Sequence, residues 1–190
     1  NIYNNFIGQF QNQPQNNENN VLDLNRIIID LSDQQREVLF KICSELLNQK
    51  IEMKRVNPNN QFSKGFIEIN SINMSFTSAG TRLLITLIGT LLNTDFSTFL
   101  LDEPELGLTP RIQTQLVEFL YNEQNRKTYF PHIQNLIIAT HSHLFLDKKN
   151  ITNNFNVILE KNVIDISQVD TISKLHDLQF NLLGNTFESL

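Results

Sequence analysis

The stretch that most constrains how this 190-residue chain can fold is Phe99-Leu100-Leu101-Asp102-Glu103-Pro104-Glu105. Residues 98–101 are all apolar or β-branched, a pattern that reads as a strand buried on both faces. Two adjacent carboxylates end the run, so they belong at the strand's carboxyl edge, where open parallel sheets bind ligands. There one acid can hold a hydrated metal while the other steers a water. Asp-Glu-Pro alone is also ordinary loop chemistry, a solvated acidic turn. The neighbouring segments decide between the two.

A second apolar run, residues 135–140, ends in His141-Ser142-His143. Between the two runs, Thr109-Pro110 supplies a cap and a first-turn proline. Ile112, Leu116, Phe119 and Leu120 then mark the buried face of a helix reaching about residue 126. Strand, helix and strand in that order form a crossover that makes the strands parallel and places Asp102, Glu103 and His141 on one sheet edge. Upstream, the small, hydroxylated segment Phe76-Thr77-Ser78-Ala79-Gly80-Thr81-Arg82 feeds a helix that is apolar on nearly every side and therefore buried. The helix start offers free amides and the positive end of a dipole, so Ser78, Ala79 and Gly80 can cradle a phosphate oxygen. Ser78 can equally be no more than an N-cap.

The remaining segments frame this unit. Residues 1–20 hold twelve Asn or Gln and read as a loop or linker, with residues 21–190 as the folded part. Ser32-Asp33-Gln34-Gln35 fits a capping box opening a helix over 33–48. Leu39, Ile42, Cys43 and Leu46 lie on the buried stripe of that helix, which makes Cys43 a core residue rather than a reactive thiol. Strands are expected over 50–56 and 65–70, a hairpin over 156–159 and 163–166, and a last helix over 173–183 capped by Gly184. A hydrophobic content of 40% with 14 Phe supports one buried core. The net charge of −5 provides no basic field for nucleic acid, and DNA contact is not indicated by charge. Lys50, Lys54, Arg55 and Lys64 form a local cluster that reads as a solvated face, with phosphate or nucleic-acid contact as the alternative. A single cysteine excludes an intrachain disulfide framework and suits the reducing cytoplasm. No apolar stretch is long enough to span a bilayer, and the opening Asn1 suggests a processed, truncated or partial chain.

Taken in order, Thr77-Ser78-Ala79-Gly80-Thr81, the acidic strand end followed by Leu106-Gly107-Leu108-Thr109-Pro110, and Thr140-His141-Ser142 resemble the ABC-type ATPases. The likeness is to the soluble branch of RecF, SMC and OLD proteins, which are AAA-type ATP-binding proteins, and it covers about residues 70–146. It implies an α/β fold, a three-layer lobe like that of P-loop NTPases, with a largely parallel sheet flanked by helices. It also implies roles. Ser78, Ala79, Gly80 and Thr81 become a signature motif that meets the ATP γ-phosphate in trans. Asp102 becomes the Walker B acid, holding Mg²⁺ through water. Glu103 becomes the catalytic glutamate, residues 106–110 the D-loop and His141 the switch histidine. The family picture is a head-to-tail homodimer with ATP as the glue, driving a DNA-repair, chromosome-handling or anti-phage defence effector such as a nuclease, with no membrane.

Two features depart from the family pattern. Ala79 and Thr81 replace the Gly and Gln of the transporter signature, which points to the soluble branch. No GxxxxGK[ST] phosphate loop occurs anywhere in the chain, so the phosphates lack both a backbone cradle and a lysine. An upstream lobe or a separate polypeptide would have to supply it. The Q-loop glutamine is left open among Gln9, Gln11 and Gln13. Two other readings stand beside the ATPase: a non-catalytic dimerisation or docking module derived from the same fold, and a metal-dependent hydrolase using His141 and His143 beside Asp102 and Glu103.

Overall fold

The computed structural model describes residues 27–184 apart from 29, 61 and 64. The Asn/Gln-rich tract 1–20, the three glutamines within it, and Lys64 lie outside the described residues. Twelve helices and strands follow one another among those described. Helix α1 spans Asp33–Leu47 and opens with the expected capping box. The Ser32 hydroxyl accepts from the Gln35 amide, and the Gln35 side chain accepts in return from the Ser32 N–H. The Gln35 side-chain amide also donates to the Leu92 carbonyl at 2.8 Å, tying the start of α1 to the end of the next long helix.

Strands β1 (Ile51–Arg55), β2 (Gly65–Ile69) and β3 (Ile72–Asn73) form an antiparallel sheet in that order. β3 is a short addition to the expected pair. Asn70 and Ser71 both adopt positive φ, the requirement of a two-residue hairpin turn, and that turn brings the chain back along β2. Lys50 pairs with Glu52 at 2.6 Å, and Lys54 lies 3.6 Å from Glu52 and 3.5 Å from Glu68. This basic cluster is therefore largely spent on its own carboxylates, which favours the solvated-face reading.

A single 3₁₀ turn, Met74–Phe76, leads into α2 (Ala79–Leu91). Leu84, Ile85, Ile88 and Leu91 on α2 are fully buried and meet Leu39, Ile42 and Cys43 of α1 in the main core. Burial raises the Cys43 thiol pKa well above its ordinary value, so the side chain behaves as a small hydrophobe.

Strand β4 (Thr98–Asp102), helix α3 (Pro110–Tyr121) and strand β5 (Asn135–Ala139) form the crossover, and β4 and β5 are parallel with Asp102 opposite Ala139. The helix expected to reach residue 126 is instead broken at Asn122. There the chain turns extended, and the Asn side chain accepts from the Asn125 amide to start a second helix, α4 (Glu123–Tyr129). The expectation that β4 is buried on both faces needs correcting. Phe99 and Leu101 face the core, whereas Leu100 and its neighbour Ile137 are 46% and 56% exposed. Side chains alternate along a strand, and helices cover only one face of this two-stranded sheet among the described residues.

Beyond β5, hairpin strands β6 (Phe155–Glu160) and β7 (Val163–Gln168) turn through Lys161 and Asn162, both at positive φ. The last helix, α5 (Ile172–Leu182), packs through Leu175, Leu178 and Leu182 into a small satellite cluster with Leu146 and Val169. Gly184 follows the helix at φ +76°, in the left-handed cap conformation. Among the described residues no helix is long and apolar enough to cross a membrane.

Candidate functional site

The site grows from the carboxyl ends of β4 and β5. The ladder runs one step past the strands, because the Glu103 amide donates to the Ala139 carbonyl at 2.8 Å. Glu103 itself adopts φ +47°. A side chain with a Cβ rarely takes this left-handed conformation, and such strain concentrates at functional positions. The turn it creates swings the Glu103 carboxylate toward the second strand end, where its Oε1 lies 3.4 Å from Nε2 of His141. The imidazole is 84% exposed, so it is open to a bound ligand. Asp102, the last residue of β4, is also exposed.

Ser78, Ala79, Gly80 and Thr81, the residues expected as a signature motif, form a second station. The Ser78 hydroxyl accepts from the Thr81 amide at 3.1 Å and lies 2.9 Å from the Thr81 hydroxyl, so it caps α2 as expected. Thr109 differs. Its side chain makes no cap bond, and the start of α3 relies instead on Pro110 and on the Gln113 side chain, which donates to the Leu108 carbonyl at 3.0 Å. The two stations meet through glycines. Gly107 adopts φ +69°, and its carbonyl oxygen stands where a Cβ on Gly80 would be, only 1.9 Å from that ideal position.

Two side chains that join the strand-end loops escaped the sequence reading, Glu105 and Gln113. Glu105 Oε1 accepts from the Thr140 hydroxyl and from the His141 backbone amide, both at 2.7 Å. Its Oε2 is buried without a hydrogen-bond partner. Gln113 Oε1 accepts from the Ser142 hydroxyl at 2.8 Å. Together they stitch the loop after β4 to the loop after β5. Only the third carboxylate in Asp-Glu-Pro-Glu hinted at this in the sequence, since pairings between residues 29 to 36 positions apart leave no local pattern.

His132 is accounted for structurally. Its Nε2 donates to the Leu91 carbonyl at 3.0 Å, and its ring stands edge-on to Phe99. His143 opens a 3₁₀ turn spanning His143–Phe145. Among the described residues no three His, Cys, Asp or Glu side chains converge on a point where they could share a metal. That donor set does not suit a protein-only metal cage. The exposed carboxylate of Asp102 at the end of β4 does suit Mg²⁺, which keeps most of its water and needs few protein ligands.

A family model described as "AAA domain, putative AbiEii toxin, Type IV TA system" matches residues 19–147, more than half of the chain. The chain belongs to this AAA-domain family. The AAA-domain fold seen here is also that of SMC ATPase heads. A chain described under "Structural biochemistry of ATP-driven dimerization and DNA stimulated activation of SMC ATPases" superposes at TM-score 0.54 and 13% identity, covering 79% of this chain and 94% of that one. The Smc head domain of Pyrococcus furiosus, bound to the C-terminal domain of ScpA, superposes at TM-score 0.51 and 14% identity, covering 78% of this chain but 37% of its own. The SMC head domain from Thermotoga maritima superposes at TM-score 0.50 and 17% identity, covering 78% of this chain and 51% of its own. No curated protein matches the sequence. At the level of the family, this AAA domain is a nucleotide-binding ATPase domain.

Proposed function

We propose that this chain is the signature and Walker B lobe of an ABC-type ATPase domain that closes head to tail on ATP, the phosphate loop coming from outside these 190 residues. The observation that carries the reading is the shared strand edge, where Glu103 and His141 approach to 3.4 Å across a parallel β4–β5 pair. In this mechanism Glu103 orients the attacking water and accepts its developing charge. The ladder bond to Ala139 keeps Glu103 in its left-handed turn, so its carboxylate is aimed before substrate arrives. His141, exposed beside it, stabilises charge on the γ-phosphoryl group. Asp102 would hold Mg²⁺ through the ion's hydration shell, and the ion when bound neutralises phosphate charge. Ser78, Ala79, Gly80 and Thr81 present the α2 N-terminus to a γ-phosphate seated on the partner subunit.

The family description names a Type IV toxin, and the matched SMC chain was studied for ATP-driven dimerisation and stimulation by DNA. The first supports a link to defence and the second a dimerising ATPase; to these the proposal adds an effector in defence, DNA repair or chromosome handling, with a nuclease or other subunit as partner and the cytoplasm as the place of action.

Glu103→Gln in the complete ATPase tests this. The amide keeps the size of the side chain and loses the carboxylate, so turnover should fall by about 10²–10⁴-fold, the usual worth of a general base. ATP and Mg²⁺ should still bind, and an ATP-dependent dimer should accumulate on size exclusion. Turnover close to wild type with no trapped dimer would remove Glu103 from the mechanism.

A further inference from the structure

We infer that Glu105 is the positioning residue of this edge, setting where the His141 backbone stands. The inference rests on the ATPase reading for what His141 does, and on hydrogen bonds alone for how it is held. Asp102 and Glu103 face outward, but Glu105 turns inward across the gap between the two strand ends. A single oxygen, Oε1, collects two donors at 2.7 Å: the Thr140 hydroxyl and the His141 backbone N–H. Thr140 Oγ1 in turn accepts from the Ser142 amide at 2.9 Å, so three consecutive residues of the loop hang on one carboxylate. Hydrogen bonds to an ionised acceptor are short and about twice as strong as neutral ones.

The need for this anchor is geometric. β5 stops at Ala139, and no ladder bond reaches His141. Without Glu105 the loop would rest on Gln113 and Ser142, which fix residue 142 but leave the His141 amide unheld. Glu105 also begins the turn that carries Gly107 against Gly80, because the Leu108 amide donates to the Glu105 carbonyl at 3.0 Å. The residue that holds His141 therefore lies in the same turn that abuts the signature helix.

Amide hydrogen exchange of this chain, followed by NMR, decides the proposal. Glu105→Ala should speed exchange of the His141 amide by roughly tenfold or more, while the core amide of Ile88 stays at its wild-type rate. Glu105→Gln retains an acceptor oxygen at the same reach and should restore most of the protection. Glu105→Asp keeps the charge but is one methylene short, and should behave like Ala. In the ATP-hydrolysing protein, Ala and Asp should lower kcat with little change in KM for ATP, and Gln should recover most of it. Wild-type exchange at His141 in the Ala variant would overturn the proposal. So would a Gln variant as fast as Ala, an Asp variant as protected as wild type, or equal acceleration at Ile88. The exchange result stands whether or not ATP is turned over, so failure here and failure of the ATPase reading are told apart.

Discussion

Single residues set the tolerance of this site to change, and Gly80 is the tightest case. It is buried at the start of α2, and a Cβ there would lie 1.9 Å from the Gly107 carbonyl oxygen and 2.6 Å from the carbonyl carbon. Both are backbone atoms that cannot swing aside as a side-chain tip can. Alanine favours a helix interior over glycine by about 1 kcal/mol, but relieving the overlap means moving the α2 terminus or the turn at Gly107. Gly80→Ala should therefore lower stability by about 1–3 kcal/mol, read as a drop in the urea midpoint at unchanged slope. A stabilised variant would show that the glycine pair is not in contact. The same closeness gives position 80 a packing reason to be small, separate from the proposed phosphate contact.

At the scale of elements, α3 is pinned at both ends to the loop that carries His141. Gln113 in its first turn accepts from Ser142, and Tyr121 in its last turn donates from its hydroxyl to the Phe145 carbonyl at 2.6 Å. Burial, with Asp147 nearby adding negative charge, pushes the Tyr121 phenol up to about 12 from its ordinary 10.0. In the unfolded chain the phenol ionises near its ordinary value, so between these limits the folded state holds a proton that the unfolded state has released. The stability it contributes is fully present below about pH 10 and is lost as pH rises toward 12. Tyr121→Phe should cost about 1–2 kcal/mol at neutral pH and flatten the alkaline limb of the stability profile in that window. An unchanged alkaline limb in the Phe variant would place the lability elsewhere.

At the scale of the whole molecule, the apolar surface left open is as informative as the core. Leu100 and Ile137 lie exposed on the uncovered face of β4–β5, and Val157, Leu159, Ile164 and Ile166 share one exposed face of the β6–β7 hairpin. An isolated two-stranded hairpin is marginal in water, and open apolar patches of this kind mark contact surfaces. Such faces are where the proposed lobe would meet a partner surface. The proposed dimer has its own test at Ser78. Ser78→Arg replaces a capping hydroxyl with a bulky cation at the α2 N-terminus, costing about 1 kcal/mol for the lost cap. In the complete protein it should abolish ATP-driven dimerisation while nucleotide binding by the monomer persists, which calorimetry alongside size exclusion will show. If binding and dimerisation fall together, the signature does not act in trans.

Local chemistry made much of this legible in the amino-acid order. The Ser32 and Gln35 capping box, the Ser78 cap and the β6–β7 hairpin each lie within a few residues, and each formed as expected. The β4–α3–β5 crossover was readable because connection length and handedness leave one arrangement, which by itself brings Asp102, Glu103 and His141 to one edge. The break at Asn122 is also local, a side-chain cap on the Asn125 amide that competes with helix continuation and leaves the apolar periodicity unchanged. Other features depended on residues distant in sequence. The open face at Leu100 followed from which elements cover the sheet. The carboxylate of Glu105 found its partners 35 and 36 residues away. Periodicity shows which way a side chain leans, and only tertiary contact determines what it meets.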